Sequence, residues 1–220
     1  MRLARAYSSI AHVNLPTPNG AADGEGTLIA PRWVLTAAHV GVEVRPGHRV
    51  SVGGGTFVVD SVIAHPEWHD GPHDLALLRL TQAVQGTRPA RLYRGSSEQG
   101  RIIVLVGYGD FGTGETGPQG NDRVVRGATN RVDEATSLWL KFAFDPPGSS
   151  STPLEGVSGP GDSGGPAYLH GVEHETLLGV SSGQSTRAAS GPGRYGVVEY
   201  YVRVSRYIAW IESVTGPLPR

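Results

Sequence analysis

Short runs of aliphatic and β-branched residues recur along the chain, broken by glycine-rich or polar turns about every ten residues. In the first part they cover Thr27–Ala30, Trp33–Thr36, Arg49–Val52, Phe57–Val59, Val62–Ala64 and Leu75–Leu80. Ile102–Val106, Arg123–Val125, Leu138–Phe144, Leu177–Val180 and Val197–Val204 follow. Runs this short and this evenly spaced predict an all-β sandwich or barrel, not alternating strand–helix units. The polar stretch Thr87–Gly100 divides them into halves of similar size, which predicts two β-barrels, over residues 1–95 and 96–220. One helix is expected, at the C-terminus. Ser205 is placed to cap it, Ile208, Ile211 and Val214 recur at three-residue spacing, and Gly216–Pro217 stops it. Gly148–Thr152 reads as a Ser/Gly-rich loop, and no longer internal repeat stands out.

Composition narrows the function classes. Glycine and proline supply 32 and 16 of the 220 residues, too many breakers for a helical bundle. No run approaches the roughly 18 apolar residues of a membrane-crossing helix, so no membrane partner is expected. Nineteen basic against twenty acidic side chains leave a net charge of −1, which argues against a nucleic-acid partner. Cysteine is absent, and with it disulfides, a thiolate nucleophile and any expectation of a metal site. The stretch Met1–Leu15 carries charge but no apolar run, so it does not read as a signal peptide.

Three motifs invite readings that their surroundings oppose. Gly107-Tyr-Gly109-Asp-Phe-Gly112 matches a dinucleotide fingerprint, but the Thr113–Pro118 stretch behind it cannot open the helix that would hold a pyrophosphate. His65, His69 and His73 stand four apart; Pro66, Gly71 and Pro72 forbid a regular helix, so the rings are not expected to converge on a metal. Gly161-Asp-Ser163-Gly-Gly165 fits the nucleophile elbow of α/β-hydrolases, yet Pro166 and a strand-like run follow where that fold needs a helix.

Three segments remain. Leu35-Thr-Ala-Ala-His39 ends a strand with a histidine, His73-Asp74-Leu-Ala-Leu begins one with an aspartate, and Gly159-Pro-Gly-Asp-Ser163-Gly-Gly-Pro166 sets a serine in a glycine-rich turn. In that order and with those flanks, the chain resembles the trypsin/chymotrypsin-like (S1) serine proteases. The likeness runs from Gly26 through Val106-Gly-Tyr-Gly109 to Tyr201-Val-Arg-Val204 and the terminal helix. It implies two six-stranded antiparallel barrels with the active site in the cleft between them. It also implies Ser163 as nucleophile, His39 as general base and Asp74 as the group orienting it. The N–H groups of Gly161 and Ser163 would form the oxyanion hole. Ser181 would hydrogen-bond Asp74, and Gly183 would pair with substrate backbone. No cofactor is implied; the partner is a protein or peptide substrate, and the protease is expected to be a monomer, secreted or periplasmic, with the cytoplasm still open.

The sequence also departs from that family. Val40 and Gly159 replace its usual cysteines, so packing alone must hold the fold. Val157 stands where the specificity pocket has its floor, and an apolar floor cannot pair with arginine or lysine. Glu199 aligns with the opposite pocket wall, where it would supply the missing charge; a slip of one residue would turn it to solvent. Asp162 is the family's partner for a freed N-terminal ammonium, and Met1-Arg-Leu-Ala does not match that start. A latent, zymogen-like protein or a non-catalytic binding protein of the same fold is therefore the rival reading.

Overall fold

The computed structural model describes residues 2–17, 20–185 and 191–219. The first half is a closed antiparallel barrel of six strands: β1 (Ile10–Thr17), β2 (Gly20–Ala30), β3 (Trp33–Thr36), β4 (Arg49–Val52), β5 (Gly55–Ala64) and β6 (Ala76–Leu80). They run β1-β2-β3-β6-β5-β4, and β4 pairs back onto β1 to close the ring. Alternation sets the inward faces: Val50 and Val52 of β4 are buried while Arg49 is exposed. The two apolar runs at 57–59 and 62–64 are one strand. A bulge between Val59 and Ser61 turns Asp60 outward, where it pairs with Arg79 at 2.7 Å.

The second half contains β7 (Arg91–Leu92), β8 (Ile102–Gly107), β9 (Phe111–Thr113), β10 (Gly117–Gly120), β11 (Arg126–Arg131), β12 (Glu134–Ala135), β13 (Trp139–Ala143), β14 (Pro166–Leu169), β15 (Thr176–Ser185) and β16 (Val198–Arg203). β9 and β10 form a separate hairpin. The others curl into an eight-stranded sheet in the order β11-β8-β14-β15-β16-β13-β12, with β7 beside β15. Six strands were expected; this half has more, and its barrel is left open between the edge strands β11 and β12. Asn130 bridges the gap, donating from Nδ2 to the carbonyls of Ala143 and Gly156 at 2.9 and 3.1 Å.

Two local expectations fail for identifiable reasons. Arg123–Val125 forms no strand, because Asn121 and Asp122 accept from the N–H groups of Arg123 and Val124. The helix α2 (Ile208–Thr215) starts after Tyr207, not Ser205; a 3₁₀ turn over Val204–Arg206 precedes it, and Ser205 Oγ donates to Glu98. Gly216 does end it, at φ 80°.

The polar linker is anchored at both ends. Ala90 N–H donates to Leu28 O of the first half, whereas Arg91 and Tyr93 N–H donate to Glu175 O and Leu177 O of the second. Glu98 is fully buried and holds Arg203 of β16 at 2.7–2.8 Å. One apolar core, with Leu28, Leu35 and Leu77 from the first half and Tyr168, Val202 and Ile211 from the second, runs through both. The cleft between the halves is therefore set by a shared core.

Candidate active site

Each candidate side chain sits at the end of a strand or in a turn fixed by backbone hydrogen bonds. His39 lies in α1 (Ala38–Gly41), one helical turn that follows β3 directly. Asp74 leads into β6, after a loop in which His65 N–H donates to Leu75 O at 2.8 Å. Ser163 lies between β13 and β14, in a turn braced by Asp162 N–H to Gly159 O, Gly164 N–H to Ser181 O and Gly165 N–H to Asp162 O. The turn crosses the cleft, for Glu25 N–H of the first barrel donates to Ser163 O at 2.7 Å. Gly164 has φ +81°, and a Cβ there would stand 2.2 Å from Thr36 Oγ1 and 3.0 Å from Ala37 N. Only glycine lets the serine turn approach the histidine's segment so closely.

Asp74 is almost fully buried and accepts three hydrogen bonds. Its Oδ2 meets His39 Nδ1 at 2.7 Å and Ser182 Oγ at 2.6 Å, and its Oδ1 accepts from His39 N–H at 2.9 Å. Burial opposes ionisation, but the bonds from His39 and Ser182 outweigh it and hold the carboxyl below its ordinary range. With Nδ1–H committed to a carboxylate, Nε2 of a neutral His39 carries the free lone pair. The ring is partly exposed toward the cleft. No hydrogen bond joins Ser163 Oγ to His39 among the described residues, in keeping with substrate-free sites, where such contacts are often long. The N–H groups of Gly161 and Ser163 are likewise uncommitted among the described residues, with Gly161 at φ +99°.

The aspartate's serine partner is Ser182, not Ser181. A register shift between Ser181 and Gly183 against β16 turns the backbone by one residue. Ser181 instead lines a cavity of about 180 Å³ beside Ser163, together with Ser158, Gly159, Gly183 and Gln184. Val157 is not among its walls; it lines another cavity of about 360 Å³ with Asp110, Glu155 and Asp162.

Glu199 does not face solvent. It is fully buried on β16, opposite Gln184 of β15. Ser158 Oγ donates to one carboxylate oxygen at 2.7 Å and Gln184 Nε2 to the other. Burial pushes its pKa up to about 7 against the pull of those two donors, and the Asp162 charge adds to the rise. The residues between Glu199 and the cavity are thus Ser158 and Gln184, neither of which the sequence reading singled out. No local sequence signal marks either, because they meet Glu199 only through the fold.

Asp162 has no ammonium partner among the described residues. Gly109 and Gly159 N–H donate to it at 2.6 and 2.7 Å, and the fully buried Glu25 faces it. Tyr108 N–H donates to Glu25 Oε1, while Oε2 finds no donor. Burial first, then the neighbouring carboxylate, raises Glu25 well above its usual range; burial raises Asp162 to about 6. Glu25, set between two glycines in an apolar strand, went unremarked in the sequence.

Of the three loop histidines, His65 and His73 do converge, stacked at 5.1 Å between ring centroids. An extended hairpin-like loop brings together what a broken helix could not.

Comparison with known proteins agrees with this fold. The family model for trypsin matches residues 11–211. A serine protease of Anopheles gambiae, SP24D, is 30% identical over 206 residues, covering 86% of this chain and 70% of its own. A trypsin of the bacterium Saccharopolyspora erythraea is 30% identical, over 89% of this chain and 88% of its own. Among solved structures, HL collagenase superposes with a TM-score of 0.74 over 97% of this chain and 96% of its own, at 19% identity, a likeness of fold.

Proposed function

We propose, from the premise that the chain belongs to the trypsin family and is a serine endopeptidase, that it cuts peptide bonds through an acyl-enzyme on Ser163. Ser163 Oγ attacks the scissile carbonyl carbon while His39 Nε2 takes its proton. The carbonyl oxygen becomes an oxyanion facing the N–H groups of Gly161 and Ser163. Collapse breaks the C–N bond, and His39 passes the proton to the departing amine. Water, deprotonated by His39, then attacks the ester and restores Ser163. Asp74 stays ionised throughout and stabilises the imidazolium. The observation that carries this reading is the His39–Asp74–Ser182 hydrogen-bond chain, which leaves Nε2 of His39 free to act as a base.

The finer reading is a preference for basic P1 residues. Ser158 and Gln184 help line the small cavity beside Ser163, and both bond the buried carboxylate of Glu199. A P1 guanidinium or ammonium donates to Ser158 Oγ and the Gln184 side-chain oxygen, with Glu199 as the counter-charge. Because Glu199 titrates near 7, arginine selectivity rises with pH through that region. Peptide reporters with P1 Arg, Lys, Phe and Val test it on the wild type and Glu199→Gln. Equal cleavage of all four, unchanged in Glu199→Gln, would exclude a role for Glu199.

The substrate is a protein or peptide chain, and the reading is of a monomer acting outside the cytoplasm, as trypsin-like proteases commonly do. No helix of the described residues is long and apolar enough to cross a membrane.

A further inference from the structure

The loop that delivers Asp74 assembles a second cluster of groups, which peptide hydrolysis does not use. His65 closes the end of β5, and His73 ends the loop, its carbonyl accepting from Leu75 N–H at 2.7 Å. The two imidazoles lie 14° from parallel. Glu67, on the exposed turn between them, brings Oε2 to 3.5 Å from His73 Nε2. One nitrogen from each ring and one Glu67 oxygen all lie within 4.8 Å of one another.

One pair in the cluster has the spacing a bound transition-metal ion sets. Nitrogen and oxygen ligands bound tetrahedrally to zinc at 2.0–2.2 Å stand about 3.4 Å apart. The Glu67–His73 pair already has this separation. His73 also carries an outer partner: its Nδ1 lies 3.1 Å from Tyr207 Oη. Donation from Nδ1–H to that oxygen leaves Nε2 unprotonated and aimed at Glu67, the tautomer a metal requires. Trp210 packs on His65 at 4.8 Å, so α2 walls the cluster on one side while Glu67 leaves the other open.

We propose that the juxtaposition of His65, Glu67 and His73 is a zinc-class transition-metal site, with two imidazoles and one carboxylate as ligands and water in the fourth position. Imidazole with carboxylate suits zinc, cobalt or nickel and offers too few oxygens for calcium or magnesium. An ion there sits on the peptide that continues directly into Asp74.

Cobalt(II) titrated into the full-length chain tests this through the visible d–d absorption of a tetrahedral site. The expected result is bands that saturate at one equivalent, vanish on adding zinc and persist in excess magnesium. Glu67→Gln, on the exposed turn, and His73→Gln each weaken binding by at least about tenfold, as loss of a ligand should. Circular dichroism of the metal-free variants checks that both remain folded. Absence of the bands overturns the proposal. So do bands that survive either substitution, or bands abolished only by His39→Gln.

Discussion

Glu199 makes the protein's stability depend on pH in a direction opposite to that of most carboxylates. Its pKa of about 7 in the fold compares with 4.5 for a free glutamate. Below the lower value both folded and unfolded chains hold the proton, and the residue costs nothing. As pH rises, the unfolded chain ionises freely while the fold must keep the proton or bury a charge. Stability is therefore lost between about pH 4.5 and pH 7, by about 3 kcal/mol from this residue. Glu199→Gln removes the charge and keeps the shape: its carbonyl accepts from Gln184 Nε2, and its amide donates to Ser158 Oγ. Urea unfolding of both proteins across this range, each in a Ser163→Ala background to prevent self-digestion, measures the difference. Asp162 and Glu25 tilt both curves, so their separation reports Glu199. The variant should gain about 3 kcal/mol on the wild type between acid and mildly alkaline pH. Parallel curves would show that the carboxyl is ionised without strain and that the buried counter-charge has been misread.

Other perturbations probe the remaining contacts. Ser182→Ala removes a donor worth about 1.5–3 kcal/mol to an ionised Asp74. Asp74 is held low in the fold, so its contribution is present above its unfolded pKa and fades as pH falls. Ser182→Ala should shrink that contribution and lower kcat, seen in acid unfolding and initial rates, whereas Ser181→Ala should leave the acid limb unmoved. Gly164→Ala places a Cβ against Thr36 Oγ1 and Glu25 O at a positive φ and should cost at least about 2 kcal/mol. An unchanged Tm would contradict the close packing of the serine turn on the first barrel. Glu98→Ala leaves Arg203 buried and unpaired and should destabilise by about 3–5 kcal/mol, read by urea unfolding.

The chemistry was legible where it needs contiguous residues. The His39 and Ser163 segments are short, and their glycines and small residues are demanded by local geometry, so a linear reading finds them. The closed first barrel was legible for a similar reason, since most of its strands are short β-branched runs set between turns. What depended on register was not. A bulge between Ser181 and Gly183 exchanges the roles of two adjacent serines, and nothing in Val180-Ser-Ser-Gly183 reports it. Gln184 meets Glu199 only across the β15–β16 ladder, and Glu25 meets Asp162 only across the two halves. The convergence of His65 and His73 arises from loop closure by Leu75, a long-range property of strands β5 and β6 that local helix rules cannot supply. Ser205 looked like a helix cap because the pull of the buried Glu98 was invisible.

The central claim is that Ser163 is a nucleophile activated by His39. A fluorophosphonate probe, incubated with the wild type, Ser163→Ala and His39→Ala and followed by intact-protein and peptide mass spectrometry, tests it most directly. The account predicts one adduct per chain, located on Ser163, absent in Ser163→Ala and slowed by orders of magnitude in His39→Ala. A folded wild type that stays unlabelled, or an adduct that persists in Ser163→Ala, would contradict it.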